Sequence, residues 1–217
     1  MDNLSSRSDV VSNFTTMRWD SLFDDLESQL EREISAEEVD LDAEEERLRL
    51  GRLSIRDRLV ALQDATPRDS ALRLGISLCG GDRLVVHPVL IGRDWFSADL
   101  VDEARRERQC IIPLSSVAGI SLPASQASES LAGGGDDSTA HPVLSARLGL
   151  TFVLRDLCRR RKSMELLTAA GSLHGTIDRV GRDHFDLAIH EMGSPRRASN
   201  VTEIRLVPLT AVIMVKL

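Results

Sequence analysis

Basic side chains form the group in this sequence whose chemistry is easiest to name. Arg159, Arg160, Arg161 and Lys162 follow one another in the stretch "RDLCRRRKS", at the end of a predicted helix. Clustered arginines and lysines bind the phosphates of nucleic acids. Cations at the C-terminus of a helix also complement its dipole, which is a purely structural reason for the same residues. The residue types therefore leave two interpretations open, a polyanion site and a stabilised helix end.

Two more basic residues, Arg196 and Arg197, extend the candidate polyanion site into a predicted long loop. The chain of 217 residues has no tyrosine and only 3% aromatic residues, so it offers few platforms for stacking single-stranded bases. Its formal net charge is −7. We therefore expect no attraction to nucleic acid beyond the local basic patch.

Motifs for catalysis and metal binding are missing from the sequence. It contains no G-x-S-x-G, P-loop, G-x-G-x-x-G or H-E-x-x-H pattern. His184, Asp186 and His190 alternate along a predicted strand, but strand residues six apart lie about 20 Å from end to end, too far for one metal ion. We expect these side chains to face solvent. The sequence predicts no catalytic residue, no metal site and no cofactor.

Cysteine usage and hydropathy indicate where the protein is found. Three scattered cysteines have no ligand spacing and are expected to be buried, reduced thiols: Cys79, Cys110 and Cys158. No apolar run approaches the roughly 18 residues of a membrane span, and the first residues do not resemble a signal peptide. We expect a cytoplasmic protein with no membrane segment.

A six-residue phrase occurs twice, as "IGRDWF" at residues 91–96 and "VGRDHF" at residues 180–185. In both places two alternating apolar segments precede the phrase, a third follows it, and a Pro-Leu pair comes later. Gly92 and Gly181 are expected to supply the positive φ of a tight turn, and Asp94 and Asp183 to bond nearby backbone N–H groups. The agreement in order and in apolar faces predicts an internal duplication of one small β unit.

The segment ahead of the first copy is predicted to be helical and acidic. From Asp20 to Leu50 it carries 13 acidic and 3 basic residues. Five apolar residues fall on one helical stripe, which either packs on the chain's own barrels or docks in a groove of another protein. We name it as a candidate protein-docking surface: Trp19, Leu22, Phe23, Leu26 and Leu30. Ser35 and Glu38 read as a capping box that starts a second helix, which Gly51 divides. The heptad spacing of four residues predicts a core stripe in that second helix: Leu41, Leu48, Ile55 and Leu62.

The second copy resembles the Sm-like family. "LHGTIDRVGRDHFDL" is similar to the Sm signature, with Gly175 in the second strand and Asp183 at the following turn, and "RLVPLTAVIMV" is similar to the closing strands. The first copy departs from this pattern, with Val86 in place of Gly175. The whole chain also resembles a group of uncharacterised actinobacterial proteins. The resemblance implies a helix followed by a five-stranded small barrel, with edge-to-edge association through the last two strands. It also implies RNA contacts at the loops after the second and fourth strands, where Arg182 and His184 are the matching candidates in this sequence.

The expected fold class is therefore mostly β with α (α+β), made of two tandem Sm-like five-stranded small barrels, each preceded by a helix. The expected segments are a disordered N-terminus (1–16), an acidic helical segment (17–50), barrel 1 (51–120), a flexible linker (121–142) and barrel 2 (143–217). We expect a non-enzymatic scaffold or regulatory interaction protein that binds a protein partner or its own copies. The alternative is an RNA-binding regulator that uses the basic patch of barrel 2.

Overall fold

A computed structural model describes residues 6–67, 70–101, 108–133 and 144–217, with only the backbone described for residues 6–22 and Ala36. The chain divides into two compact units, Met1–Arg52 and Leu53–Leu217. Each unit is described by itself.

The first unit contains one long helix, α1 (Ser6–Arg52), of 47 residues. At 1.5 Å per residue it is about 70 Å long. Its sequence has no glycine or proline before Gly51 and is rich in good helix formers, so nothing interrupts it. The prediction of disorder is therefore wrong from Ser6 onward. The predicted capping box at Ser35 is also wrong, because Ser35 lies inside α1.

The second unit begins with helix α2 (Ile55–Ala65), whose start is set by a real capping box. The Asp57 N–H donates to Ser54 Oγ at 3.1 Å, and the Ser54 N–H donates to Asp57 Oδ2 at 3.0 Å. The break between the two helices, predicted at Gly51, thus lies a few residues later, between Arg52 and Ile55. Because of this break the predicted heptad stripe does not lie on one helix: two of its members are exposed on α1, while Leu62 is buried on α2.

The two β copies contain equivalent elements. In the first half these are β1 (Leu74–Leu78), β2 (Arg83–Ile91), β3 (Trp95–Leu100), β4 (Arg108–Pro113), a 3₁₀ turn (Leu114–Ser116) and β5 (Val117–Ser121). In the second half they are helix α5 (Leu150–Arg159), β6 (Ser163–Thr168), β7 (Gly171–Val180), β8 (His184–Ile189), β9 (Glu203–Pro208), a 3₁₀ turn (Leu209–Ala211) and β10 (Val212–Lys216). We call α2 with β1–β5 the first half and α5 with β6–β10 the second half.

All ten strands pair antiparallel in one sheet with the order β5-β1-β2-β3-β4-β10-β6-β7-β8-β9. Each half therefore has the same strand order, its last strand beside its first. The predicted mixed α+β class is confirmed at this level. The sheet does not close into a barrel, because β5 and β9 remain its two edges within the described residues.

The repeat extends to irregular details of the strands. Pro88 lies at a β-bulge between β2 and β3, as its missing N–H requires, and β7 shifts register at the matching place after Ile177. Phe96 and Phe185 are fully buried at matching positions of β3 and β8. Each half has its own hydrophobic core on this pattern. The predicted duplication is thus visible in register and in packing.

The linker prediction is wrong for its first part. Residues 124–129 form helix α3 (Ala124–Glu129), a 3₁₀ turn follows, and Arg58 of α2 donates to Ser130 Oγ at 2.7 Å. A short helix α4 (Leu144–Arg147) precedes α5, and residues 134–143 lie outside the described part. No helix within the described residues combines the length and apolar character that a membrane crossing requires.

Candidate functional site

The two Gly-Arg-Asp turns, residues 92–94 and 181–183, share one backbone arrangement. In each, the glycine N–H donates to the carbonyl of the residue three positions on, and the aspartate carbonyl accepts from the leucine of the Pro-Leu pair. The bonds are Gly92 N to Trp95 O and Gly181 N to His184 O, both 2.8 Å, with Leu114 N to Asp94 O at 2.9 Å and Leu209 N to Asp183 O at 2.8 Å. These hydrogen bonds thus hold the start of the third strand of each half against the corner that precedes its last strand.

The predicted reason for the turn glycines is wrong. Neither Gly92 nor Gly181 has a positive φ; that conformation occurs at Gly81 and Gly171, in the hairpins between the first two strands of each half. A Cβ at Gly92 would instead overlap the indole ring of Trp95, and a Cβ at Gly181 would lie 2.8 Å from the imidazole of His184. Glycine is needed there because a ring folds back over the turn.

The first Gly-Arg-Asp turn binds the start of helix α5 in the other half. The N-cap residue of α5 is Gly149, which has no side chain to accept a helix N–H. Asp94 supplies the missing acceptor, because the Leu150 N–H donates to Asp94 Oδ1 at 2.7 Å. A carboxylate from one half therefore caps the helix of the other.

Two more hydrogen bonds complete this contact, and both reach the Leu148 carbonyl. The Arg93 N–H donates to it at 3.1 Å and the Trp95 Nε1–H donates at 2.9 Å. The Trp95 side chain is only 4% exposed and belongs to the hydrophobic core of the second half. The first turn is therefore part of the junction between the halves.

The second Gly-Arg-Asp turn has no such contact within the described residues. The side chains of Asp183 and His184 are 85% and 45% exposed. His184 Nδ1 lies 2.8 Å from Asp183 Oδ1, and this hydrogen bond holds the pKa of Asp183 below its usual value. In the second half, Asp183 and His184, the counterparts of the junction residues Asp94 and Trp95, are thus exposed to solvent.

The strand junction between the halves shows the same asymmetry. Strands β4 and β10 pair through Ile111 opposite Val215 and Cys110 opposite Lys216. Ile111 is 3% exposed, whereas Leu206, which holds the same place two residues before the Pro-Leu pair of β9, is 66% exposed. Within the described residues, strand β9 is therefore a free edge that exposes Leu206 and Ile204 beside the charged pair Glu203–Arg205, whereas its counterpart in the first half is covered by a strand.

The basic patch is partly neutralised by the protein's own carboxylates. Arg159 and Arg160 bond the two oxygens of Asp156 at 2.5 and 2.6 Å. These hydrogen bonds lower the pKa of Asp156. Arg196 bonds Asp178 of β7 through two nitrogens, at 2.9 and 2.5 Å. The structure therefore places three of the eight predicted basic residues in ion pairs, and Arg161 and Lys162 are exposed beyond the end of α5.

A buried polar pair in the second half escaped sequence reasoning. His190, expected in solvent, is 2% exposed, and its Nε2 lies 2.9 Å from Thr176 Oγ1. Its ring packs edge-on against His174 with centroids 5.4 Å apart. Burial, and then the neighbouring His190, lower the pKa of His174. Within the described residues no three potential metal ligands come together.

Two apolar surfaces remain. On α1, Phe23, Leu26 and Leu30 of the predicted docking stripe are exposed, while the side chains of Trp19 and Leu22 lie outside the described part. In the second unit a cavity of about 330 Å³ opens between α2, β5 and α3, lined mainly by apolar side chains: Ile55, Arg58, Leu59, Leu62, Ile120, Leu122 and Ala127.

Comparison with known proteins adds no relative: no family model matches the chain, and no curated protein or solved structure is significantly similar to it.

Proposed function

We propose that this chain is a non-enzymatic cytoplasmic interaction protein, built on two Sm-like halves, that assembles with copies of itself through the free edges of its sheet. The observation that carries the proposal is the 66% exposure of Leu206, in a position where Ile111 is 3% exposed. An apolar strand edge with unpaired backbone groups is a template for another strand.

The Sm-like assignment rests on several matching features. Each half has a helix, five strands in the order 5-1-2-3-4, and a 3₁₀ turn before the last strand. Gly175, the signature glycine of the second copy, lies where a Cβ would overlap the carbonyl of Ala188 on the neighbouring strand. A close approach of this kind suits a strongly bent strand.

The two free edges are complementary, because the chain already joins their counterparts. Strand β9 matches β4, and β5 matches β10, so that Ile120 holds the place of Val215, four residues after the end of the 3₁₀ turn. Pairing Leu206 of one copy with Ile120 of another repeats the Ile111–Val215 pair. Such a contact is head-to-tail, and it therefore builds a ring or an open filament rather than a two-fold dimer.

RNA binding is the second candidate, on the basis of the exposed Arg161 and Lys162 and of the exposed Arg182 in the second turn. The ion pairs of Arg159, Arg160 and Arg196 count against it, because they reduce the charge available to phosphates. We therefore rank it below self-association.

The test is the molar mass of the full chain, measured by light scattering over a range of concentrations. We expect assemblies that Leu206→Lys dissociates, with association weakened at least tenfold, because a buried lysine on the edge is unpaired. The matched control is Val85→Lys, which alters an equally apolar, exposed residue on an inner strand.

A monomer at all concentrations, or an assembly that Leu206→Lys leaves intact, would refute the proposal. The ratio of absorbance at 260 and 280 nm identifies the alternative. Co-purified nucleic acid that is lost at high salt and in an Arg161→Glu, Lys162→Glu variant would favour RNA binding.

A further inference from the structure

We infer that the second Gly-Arg-Asp turn, together with His184, is the specific recognition element of this assembly: it docks on residues Leu53–Ile55 of a second copy and makes the assembly tighter at acid pH. This inference rests on the proposed self-association. It names the side chains that decide the contact and the condition that regulates it.

The template for the docking is present inside the chain. In the first half, Asp94 accepts from the Leu150 N–H and Trp95 donates to the Leu148 carbonyl, while β4 pairs with β10 beside them. Turn and strand pair therefore form one junction. When β9 of one copy pairs with β5 of another, the second turn arrives at the place that matches Leu148–Leu150.

That place is the start of α2, and its backbone groups are available. Leu53, Ser54 and Ile55 form the start of α2 as Leu148, Gly149 and Leu150 form the start of α5. In each, a leucine and a small N-cap residue precede an apolar first helical residue. Ser54 and Asp57 satisfy each other, but within the described residues no group bonds the Leu53 carbonyl or the Ile55 N–H. These are the two groups whose counterparts bind Trp95 and Asp94.

The apolar part of the junction has a matching receptor. Trp95 lies in the core of the second half with Leu150, Leu154 and Val215. The counterparts of these three residues in the first half are Ile55, Leu59 and Ile120, and all three line the cavity of about 330 Å³ beside α2. Two side chains are placed to enter this cavity: His184, directly after the second turn, and Leu206, on the edge strand β9.

The second half has His184 at the position where the first half has Trp95, and this difference introduces the pH dependence. The indole N–H of Trp95 is always a donor, whereas a neutral imidazole has one donor and one acceptor nitrogen. With Nδ1 directed at Asp183, the other nitrogen of neutral His184 cannot donate to the Leu53 carbonyl. A protonated ring donates from both nitrogens. Docking therefore favours the protonated ring, so that association strengthens as the imidazole gains a proton at acid pH.

The charges around the docked ring favour the same direction. In its own half, strand β9 presents uncharged Pro208 opposite His184, and the charged neighbours are in its own turn and strand: Arg182, Asp183 and Asp186. The incoming α2 brings Arg56 and Asp57, which are paired with each other at 3.5 Å, and Arg56 also donates to the Gly92 carbonyl of its own half. Asp183, in direct contact, is the partner that stabilises a positive ring.

The test measures the association constant of the full chain by sedimentation velocity at pH 8.0 and pH 5.5, with folding checked by circular dichroism. We expect the wild-type chain to associate at least tenfold more tightly at pH 5.5. His184→Trp, which copies the first half, should associate tightly and equally at both pH values. His184→Phe keeps a ring without a donor, and it should associate weakly and without pH dependence.

The outcomes distinguish a failure of this inference from a failure of the proposed self-association. Wild-type assembly that Leu206→Lys dissociates, but whose strength is the same at both pH values, overturns the inference and leaves self-association standing. The same holds if His184→Trp retains the pH dependence. Absence of assembly in the wild-type chain and in His184→Trp at both pH values overturns both.

Discussion

At the scale of single residues, burial rather than residue type decides what the reactive groups do. Cys110 is fully buried in β4 at the junction of the halves, and its thiol donates to the Ala98 carbonyl at 3.3 Å. Burial raises its pKa to about 12. Cys79, in contrast, is exposed. The thiolate is the reactive form, so the two cysteines differ in chemistry, and the expectation that all three thiols are buried is wrong for Cys79.

We expect this difference in a thiol titration of the native protein with a disulfide reagent at pH 7.5. Cys79 should react within minutes, and Cys110 should react only after unfolding in denaturant, since both access and thiolate formation are blocked. A Cys79→Ser variant is the control and should lose the fast reaction. Fast labelling of Cys110 in the folded chain would contradict its burial.

At the scale of elements, the junction depends on a cap that one half provides for the other. Asp94 and Asp183 occupy the same position in the two turns, and their backbone carbonyls make the same bond to the Pro-Leu corner. Only the Asp94 side chain accepts a hydrogen bond from a helix N–H, that of Leu150. Two identical residues in identical turns thus contribute differently to the stability of the same chain.

The contrast predicts unequal costs for the same substitution. Asp94→Ala should lower the free energy of unfolding by about 1 kcal/mol, the usual value of an N-cap side chain. Asp183→Ala should change it by less than about 0.5 kcal/mol, as an exposed substitution does. Urea unfolding of the two variants, both in the Leu206→Lys background to remove assembly, measures the difference. Equal losses would mean that Asp94 does not cap α5.

At the scale of the whole molecule, the second unit contains every residue of both hydrophobic cores. Its edges, its second turn and the cavity beside α2 all belong to residues 53–217. The acidic first unit presents its own exposed stripe, including Phe23, Leu26 and Leu30. We therefore assign self-assembly to the second unit and keep the stripe of α1 as a candidate surface for a different protein partner.

Deletion of residues 1–52 tests whether self-association belongs to the second unit. The remaining chain should keep its assembly and should unfold within about 4 °C of the full chain, which is the shift that 1 kcal/mol produces in a domain of this size. Light scattering and thermal unfolding measure the two properties. A deletion variant that becomes monomeric at every concentration would transfer self-association to α1.

Local signals in the sequence were sufficient for the strands and for α5 of the second unit, but not for the start of α2 or for α3. The alternating apolar segments on either side of each repeated hexapeptide mark strands, and Pro113 and Pro208 mark the corners before β5 and β10. These predictions succeeded because periodicity and the missing N–H of proline act over a few residues. The repeated hexapeptide was informative for the same reason, since the Gly92–Trp95 and Gly181–His184 bonds of its two copies each span only three residues.

What only the tertiary structure decided is which of these equivalent groups meet. Ser35 and Ser54 both open a capping pattern, yet only Ser54 caps a helix. Strand β4 joins β10, so Ile111 and Trp95 are buried while Leu206 and His184 are exposed. The physical reason is that a side chain is shielded from solvent by residues far away along the chain. A repeated sequence therefore determines the fold of each half, but not which strand or helix of the other half packs against it. The sequence by itself thus determined two similar β units, and their arrangement determined which surface is left to bind.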